Sequence, residues 1–160
     1  MFNSKIFSSA NAFAALKEDG SVVTWGHEDY GGDSSSVSSD ISSPVTQIFT
    51  DERAFAALKD DGSVVTWGNS GYGSDSSLVS SDLSSGVTMI FSTTRAFAAL
   101  KDDGSVITWG DSGYGGDIST YERNKIILNS LSGVEQKKRK ARYVSCIKLL
   151  NLIYNIYSKF

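Results

Sequence analysis

At 160 residues with a formal net charge of −3, the chain has the length of one ordinary domain and a globular composition. Its single cysteine, Cys146, excludes an intrachain disulfide, and one cysteine beside one histidine, His27, excludes a Cys/His zinc set. The charge is uneven: residues 1–120 hold 6 Lys/Arg against 16 Asp/Glu, and residues 121–160 hold 9 against 2, so a body and a basic tail are read as separate regions.

Residues 1–6 contain no apolar run long enough for a signal peptide, and a cytoplasmic protein is the expectation. The body is then organised by repetition. Trp25, Trp67 and Trp109 stand 42 residues apart, each closing a near-identical stretch such as Ala54 to Gly68. A fixed period in this range signals a repeat architecture. The units are read as residues 3–44, 45–86 and 87–120.

Each unit opens on a β-branched and aromatic run: Ile6-Phe7, then Val45 to Phe49, then Val87 to Phe91. These residues favour a strand. A short polar link leads to Ala-Phe-Ala-Ala-Leu-Lys, a second strand. Its alanines suit places where neighbouring sheets approach closely. Asp-Gly then signals a hairpin, with Gly20, Gly62 and Gly104 free to take positive φ. The third strand is Ser-Val-Val-Thr-Trp-Gly in the first two units. Alternation puts Val23 and Trp25 on one face, with Val22 and Thr24 on the other. A buried Trp removes ~150–250 Å² from water, an upper bound of roughly 4–6 kcal/mol. Trp25, Trp67 and Trp109 are therefore expected to anchor three cores.

A glycine-rich turn follows each Trp-Gly, carrying Tyr30 and Asp33, Tyr72 and Asp75, and Tyr114 and Asp117. A serine-rich link comes next. Val37 and Ile41, like Val79 and Leu83, are spaced i, i+4. That spacing behind a serine fits one or two helical turns, and equally a plain polar loop.

Mainly-β units of this length cannot bury a face alone and must lean on one another. One glycine-tryptophan pair in each reads as a propeller blade. Val45, Ile48, Ala57-Leu58-Lys59, Asp61-Gly62-Ser63-Val64, Trp67-Gly68 and Tyr72-Gly73, with their counterparts in the other copies, resemble the regulator-of-chromosome-condensation repeat family. The resemblance runs from about residue 3 to 117 and implies three propeller-type blades of antiparallel strands. It departs from the family at Asp51 and Ala54, where glycine and histidine are usual, and at Gly73 to Ser76, where Gly-Gln-Leu-Gly is usual. The founding member promotes guanine-nucleotide exchange through a loop outside the repeat, and nothing here matches that loop. Family members close a ring of about seven blades. Three make an incomplete propeller, which self-association could close.

Past Asp117 the repeat stops. Residues 121–160 are read either as a capping element or as the product of a truncated array. Within them, residues 137–158 have an amphipathic helical pattern: Tyr143, Ile147, Leu150, Tyr154 and Tyr157 form one stripe, opposed by Lys148, Asn151, Asn155 and Ser158. Packing as a cap is the first expectation. A membrane-surface helix or a nucleic-acid contact through the basic residues 137–142 are alternatives.

No catalytic constellation, cofactor or metal is expected. His27 has Asn69 and Asp111 as its equivalents, and the paired aspartates at 60–61 and 102–103 suit turn chemistry. The reading is a non-enzymatic module that binds another protein, with Tyr30, Tyr72, Tyr114 and Asp33, Asp75, Asp117 on one rim. A fragment of a longer array without independent function is the runner-up. Guanine-nucleotide exchange and a membrane-attached scaffold come after it.

Overall fold

The computed structural model describes residues 4–42 and 44–116. Three antiparallel sheets follow one another along the chain, each with its strands in sequential order. The first holds β1 (Lys5–Ser8), β2 (Ala12–Leu16) and β3 (Val22–Gly26). The second holds β4 (Val45–Thr50), β5 (Ala54–Lys59) and β6 (Val64–Gly68). The third holds β7 (Val87–Ser92), β8 (Ala96–Lys101) and β9 (Val106–Gly110). The fold is mainly β, three propeller-type blades. Asp117, the basic tail and the expected helix at 137–158 lie outside the described residues.

Each middle strand returns through its Asp-Gly turn. There Asp19, Asp61 and Asp103 accept the backbone N–H of the serine two residues on, at 2.8–2.9 Å. Gly20 takes φ 80°, and its counterparts behave alike. The second and third sheets carry one extra residue in the first strand, between Val45 and Gln47 and between Val87 and Met89. Such a bulge breaks the ladder locally. Thr46 and Thr88 bridge the break by donating to the carbonyls of Leu58 (3.0 Å) and Leu100 (3.2 Å).

The core lies between sheets, because strand alternation sends successive side chains to opposite faces. Phe55 and Ala57 of β5 face the first sheet, in a cluster with Ala12, Ala14, Leu16, Ile48 and Trp67. Ala54, Ala56 and Leu58 of the same strand face the third sheet, in a cluster with Ile90, Phe97, Ile107 and Trp109. Alanine at positions 12, 14, 54 and 56, none of it exposed, sits where the sheets meet. Backbone bonds stitch each seam, Val45 N–H to Gly20 C=O at 2.9 Å and Val87 N–H to Gly62 C=O at 3.0 Å.

Two of the expected three cores are therefore present among the described residues, and Trp25 anchors neither. It is 44% exposed, against 2% for Trp67 and 4% for Trp109. The Trp67 and Trp109 indoles reach back to the preceding blade, and no described residue forms a sheet before β1. The serine-rich links settle into single 3-10 turns, Ser35–Val37 and Ser77–Val79. The Ile41 and Leu83 N–H groups return to the Val37 and Val79 carbonyls, and both side chains are buried in the seams.

Candidate interaction surface

The third strand of each blade runs into a 3-10 turn: Glu28–Tyr30, Ser70–Tyr72 and Ser112–Tyr114. Three different residues start these turns in one way. His27 Nδ1, Asn69 Oδ1 and Asp111 Oδ1 accept the backbone N–H two residues on, at 3.2, 3.0 and 2.8 Å. His27 thus serves as an exposed capping acceptor. Each turn ends on a left-handed glycine, Gly31, Gly73 or Gly115, which leaves a tyrosine as its last residue.

The glycine also forms a seat for the next blade. Phe55 and Trp67, direct partners across β5 and β6, stack with centroids 5.1 Å apart at 5°. The Trp67 indole N–H donates to Gly31 C=O at 3.1 Å. A Cβ on Gly31 would stand 2.5 Å from Phe55 Cδ2. Phe97, Trp109 and Gly73 repeat the arrangement: the stack spans 5.4 Å, the indole bond is 2.9 Å and the glycine's Cβ would fall 2.8 Å from Phe97.

Above these seats the tyrosines join into a ladder. The Arg53 guanidinium lies 4.6 Å from the Tyr30 ring centre and 4.9 Å from that of Tyr72. Arg95 lies 4.9 Å from both Tyr72 and Tyr114. The result is Tyr30, Arg53, Tyr72, Arg95, Tyr114, alternating ring and cation across all three blades. Each contact adds about 0.5–1 kcal/mol when exposed and about 2 when desolvated. Arg95 also reaches Asp111 at 3.8 Å, and Arg53 reaches Glu52 at 3.8 Å, partly exposed pairs of little weight.

The sequence singled out the tyrosines but missed Arg53 and Arg95. The signal was there. Both directly precede the Ala-Phe pair, and the first copy has Asn11 at that position. Asp33 and Asp75 are exposed and accept the Ser35 and Ser77 N–H groups at 2.8 and 3.0 Å, so they start the serine turns. For Asp33 the Ser35 N–H, and for Asp75 chiefly the Ser77 hydroxyl, hold the carboxyl below its ordinary range.

Asp51 differs in chemistry from its equivalents in the other two blades. Ser9 and Thr93, its equivalents, donate their hydroxyls to the Tyr30 carbonyl (2.8 Å) and the Tyr114 carbonyl (3.0 Å). An ionised carboxylate has no proton to give. Asp51 Oδ1 accepts the Arg53 and Ala54 N–H groups at 2.8 and 2.6 Å, while Oδ2 is buried without a partner. Burial pushes this carboxyl up to about 7, against the pull of the two backbone N–H groups.

No family model matches the chain, and no curated protein matches it in sequence. Solved structures do match it in fold. Prp20p from Saccharomyces cerevisiae is 19% identical over 76% of this chain and 36% of its own, with a TM-score of 0.50. The ectodomain of the Physcomitrella patens receptor kinase CR4 is 17% identical over 68% and 30%, at 0.49. Human WBSCR16 is 22% identical over 67% and 34%, at 0.46. The chain spans about a third of the length of these structures. Its blades are of the type in Prp20p, the yeast regulator-of-chromosome-condensation protein.

Proposed function

We propose that the chain is a non-enzymatic module that binds another protein along the ladder of Tyr30, Arg53, Tyr72, Arg95 and Tyr114. The observation that carries this reading is the ladder itself. Tyrosine and arginine are the residues enriched in protein interfaces, and here they form one continuous line held by successive blades. Both faces of Tyr72 are taken by guanidinium groups, so a partner meets ring edges, hydroxyls and N–H donors. Prp20p, with binding properties toward Gsp1p and histones, is a propeller protein with protein partners, which supports the class of partner and leaves its identity open.

The test keeps the ladder while changing its chemistry. Arg53→Lys with Arg95→Lys retains both charges and loses the flat, fork-shaped donors. A partner recovered with the unaltered chain should protect the backbone around Tyr30, Tyr72 and Tyr114 from hydrogen exchange. The double variant should lose that partner at least tenfold while its far-UV spectrum stays the same. Protection elsewhere on the blades, or undiminished binding by the variant, would overturn the reading. Nucleotide release from a small GTPase on addition of the chain would overturn its non-enzymatic part.

A further inference from the structure

One face of the first sheet repeats, position by position, a face that the second and third sheets bury. Ile6, Phe13, Val23 and Trp25 are 65%, 43%, 46% and 44% exposed. Their equivalents Ile48, Phe55 and Trp67, and Ile90, Phe97, Ile107 and Trp109, are at 4% or below, and Val65, the equivalent of Val23 in the second sheet, is partly buried against the same cluster as Phe55 and Trp67. The exposed set is nevertheless arranged for docking: Phe13 and Trp25 are already stacked at 5.4 Å and 17°.

The other end of the array carries the complementary vacancy among the described residues. Gly31 and Gly73 each seat a Phe-Trp pair and accept an indole N–H. Gly115 has the same left-handed backbone, φ 101°, but a Cβ placed on it would meet nothing within 4 Å. Tyr114, 39% exposed, has Arg95 over one face, whereas Tyr72 lies between two guanidinium groups.

We infer that a second copy of this chain completes the pattern, its Phe13–Trp25 pair seated on Gly115 of the first. The two seams inside the chain show what covers such a face: the same aromatic pair, on the same glycine, with the same indole-to-carbonyl bond. The contact is head-to-tail, so it joins unlike surfaces and propagates until the assembly closes on itself. It is weaker than the internal seams for a stated reason. Asn11 stands where Arg53 and Arg95 supply the cation, so the ladder is interrupted at this junction. The inference does not rest on the partner proposed above: the sheet face and the Gly115 seat carry it, and the ladder enters only where Asn11 would meet Tyr114.

Sedimentation of the full chain from micromolar to millimolar concentration tests it. The mass should rise with concentration. Trp25→Ala should remove the head. Gly115→Asn should fill the seat with a residue that tolerates a left-handed backbone. Each variant alone should stay monomeric with an unchanged far-UV spectrum. Mixed, they should form a dimer and nothing larger, since each retains the surface the other lacks. Asn11→Arg should tighten association about fivefold to thirtyfold by restoring the missing cation over Tyr114. A chain that stays monomeric throughout, its Gly115 face covered by residues 121–160 or left open, would overturn the inference. So would association indifferent to Trp25→Ala, a mixture that fails to dimerise, or an Asn11→Arg chain no tighter than the original.

Discussion

Replacing Gly31 with alanine isolates the energy of one blade seam, because the chain contains its own control. At Gly31 the added methyl meets two costs. The backbone sits at φ 88°, where an L side chain costs about 1–2 kcal/mol. The Cβ would also fall 2.5 Å from the Phe55 ring, which must move. Overpacking of this kind costs about 1–3 kcal/mol. Displacing the ring disturbs its stack with Trp67 and the 3.1 Å indole bond to Gly31, worth a further 0.5–1.5 kcal/mol or so. The sum is about 2.5–6.5 kcal/mol. At Gly115 the same substitution meets a comparable φ of 101° and empty space, so only the backbone cost of about 1–2 kcal/mol applies. Urea unfolding followed by far-UV circular dichroism, on chain dilute enough to be monomeric, should place Gly31→Ala well below Gly115→Ala in midpoint. Repeat arrays are held by nearest-neighbour terms, so weakening one seam should also lower the apparent m-value as the first blade uncouples. Coincident midpoints for the two variants would refute the seat as the source of cohesion.

The ladder gives a second prediction: Arg53→Lys should destabilise the chain by about 1–2 kcal/mol, since Arg53 lies over two rings and lysine loses the flat stacking surface. An unchanged denaturation midpoint would show that the ladder carries no stability. The third concerns Asp51, whose carboxyl is raised from 3.8 to about 7 in the fold. A raised acid binds its proton more tightly when folded, so its contribution is present below about pH 4 and is lost as pH climbs to about 7. Asp51→Ser restores the hydroxyl found at Ser9 and Thr93. It should stabilise the chain by about 1–3 kcal/mol at pH 8 and flatten the pH dependence between 4 and 7. Loss of stability in Asp51→Ser at pH 8 would contradict this account. The turn aspartates Asp19, Asp61 and Asp103, lowered chiefly by the hydroxyls of Ser21, Ser63 and Ser105, act in the opposite sense, and stability should fall as pH drops through their range. Fourth, iodide should quench one tryptophan of three in dilute solution, and Trp25→Phe should abolish that quenching; equal quenching of all three would mean open seams.

The repeat was legible because its positions do local work. Asp-Gly turns, alternating valines and a Trp-Gly strand end act within one blade, and a single sequence displays them. Spacing also flagged Ile41 and Leu83, although it could not choose between a helical turn and a loop. Arg53 and Arg95 were harder to read. Each acts across a seam, on a tyrosine 23 residues earlier in the chain as well as one 19 residues later, and no local pattern marks that pairing. Asp51 looked like a departure from a family pattern. Its meaning, a buried carboxyl standing where its siblings put a hydroxyl, appears only once Tyr30 and Tyr114 are seen to receive those hydroxyls.

Trp25 and Trp67 make the same point more sharply. They occupy equivalent positions, stack on equivalent phenylalanines and close equivalent strands, yet one is 44% exposed and the other 2%. Nothing in the fifteen residues around either one encodes the difference; it comes from whether a glycine seat precedes the sheet. Burial in such an array is a property of the neighbour, so the strongest apolar feature of each blade becomes a surface wherever its neighbour is missing. Exposed apolar faces of this kind mark association sites. Among the described residues, Gly115 offers the seat proposed above for that face, with Asn11 in the place of an arginine, so Asn11→Arg measures how much the missing cation adds to the contact.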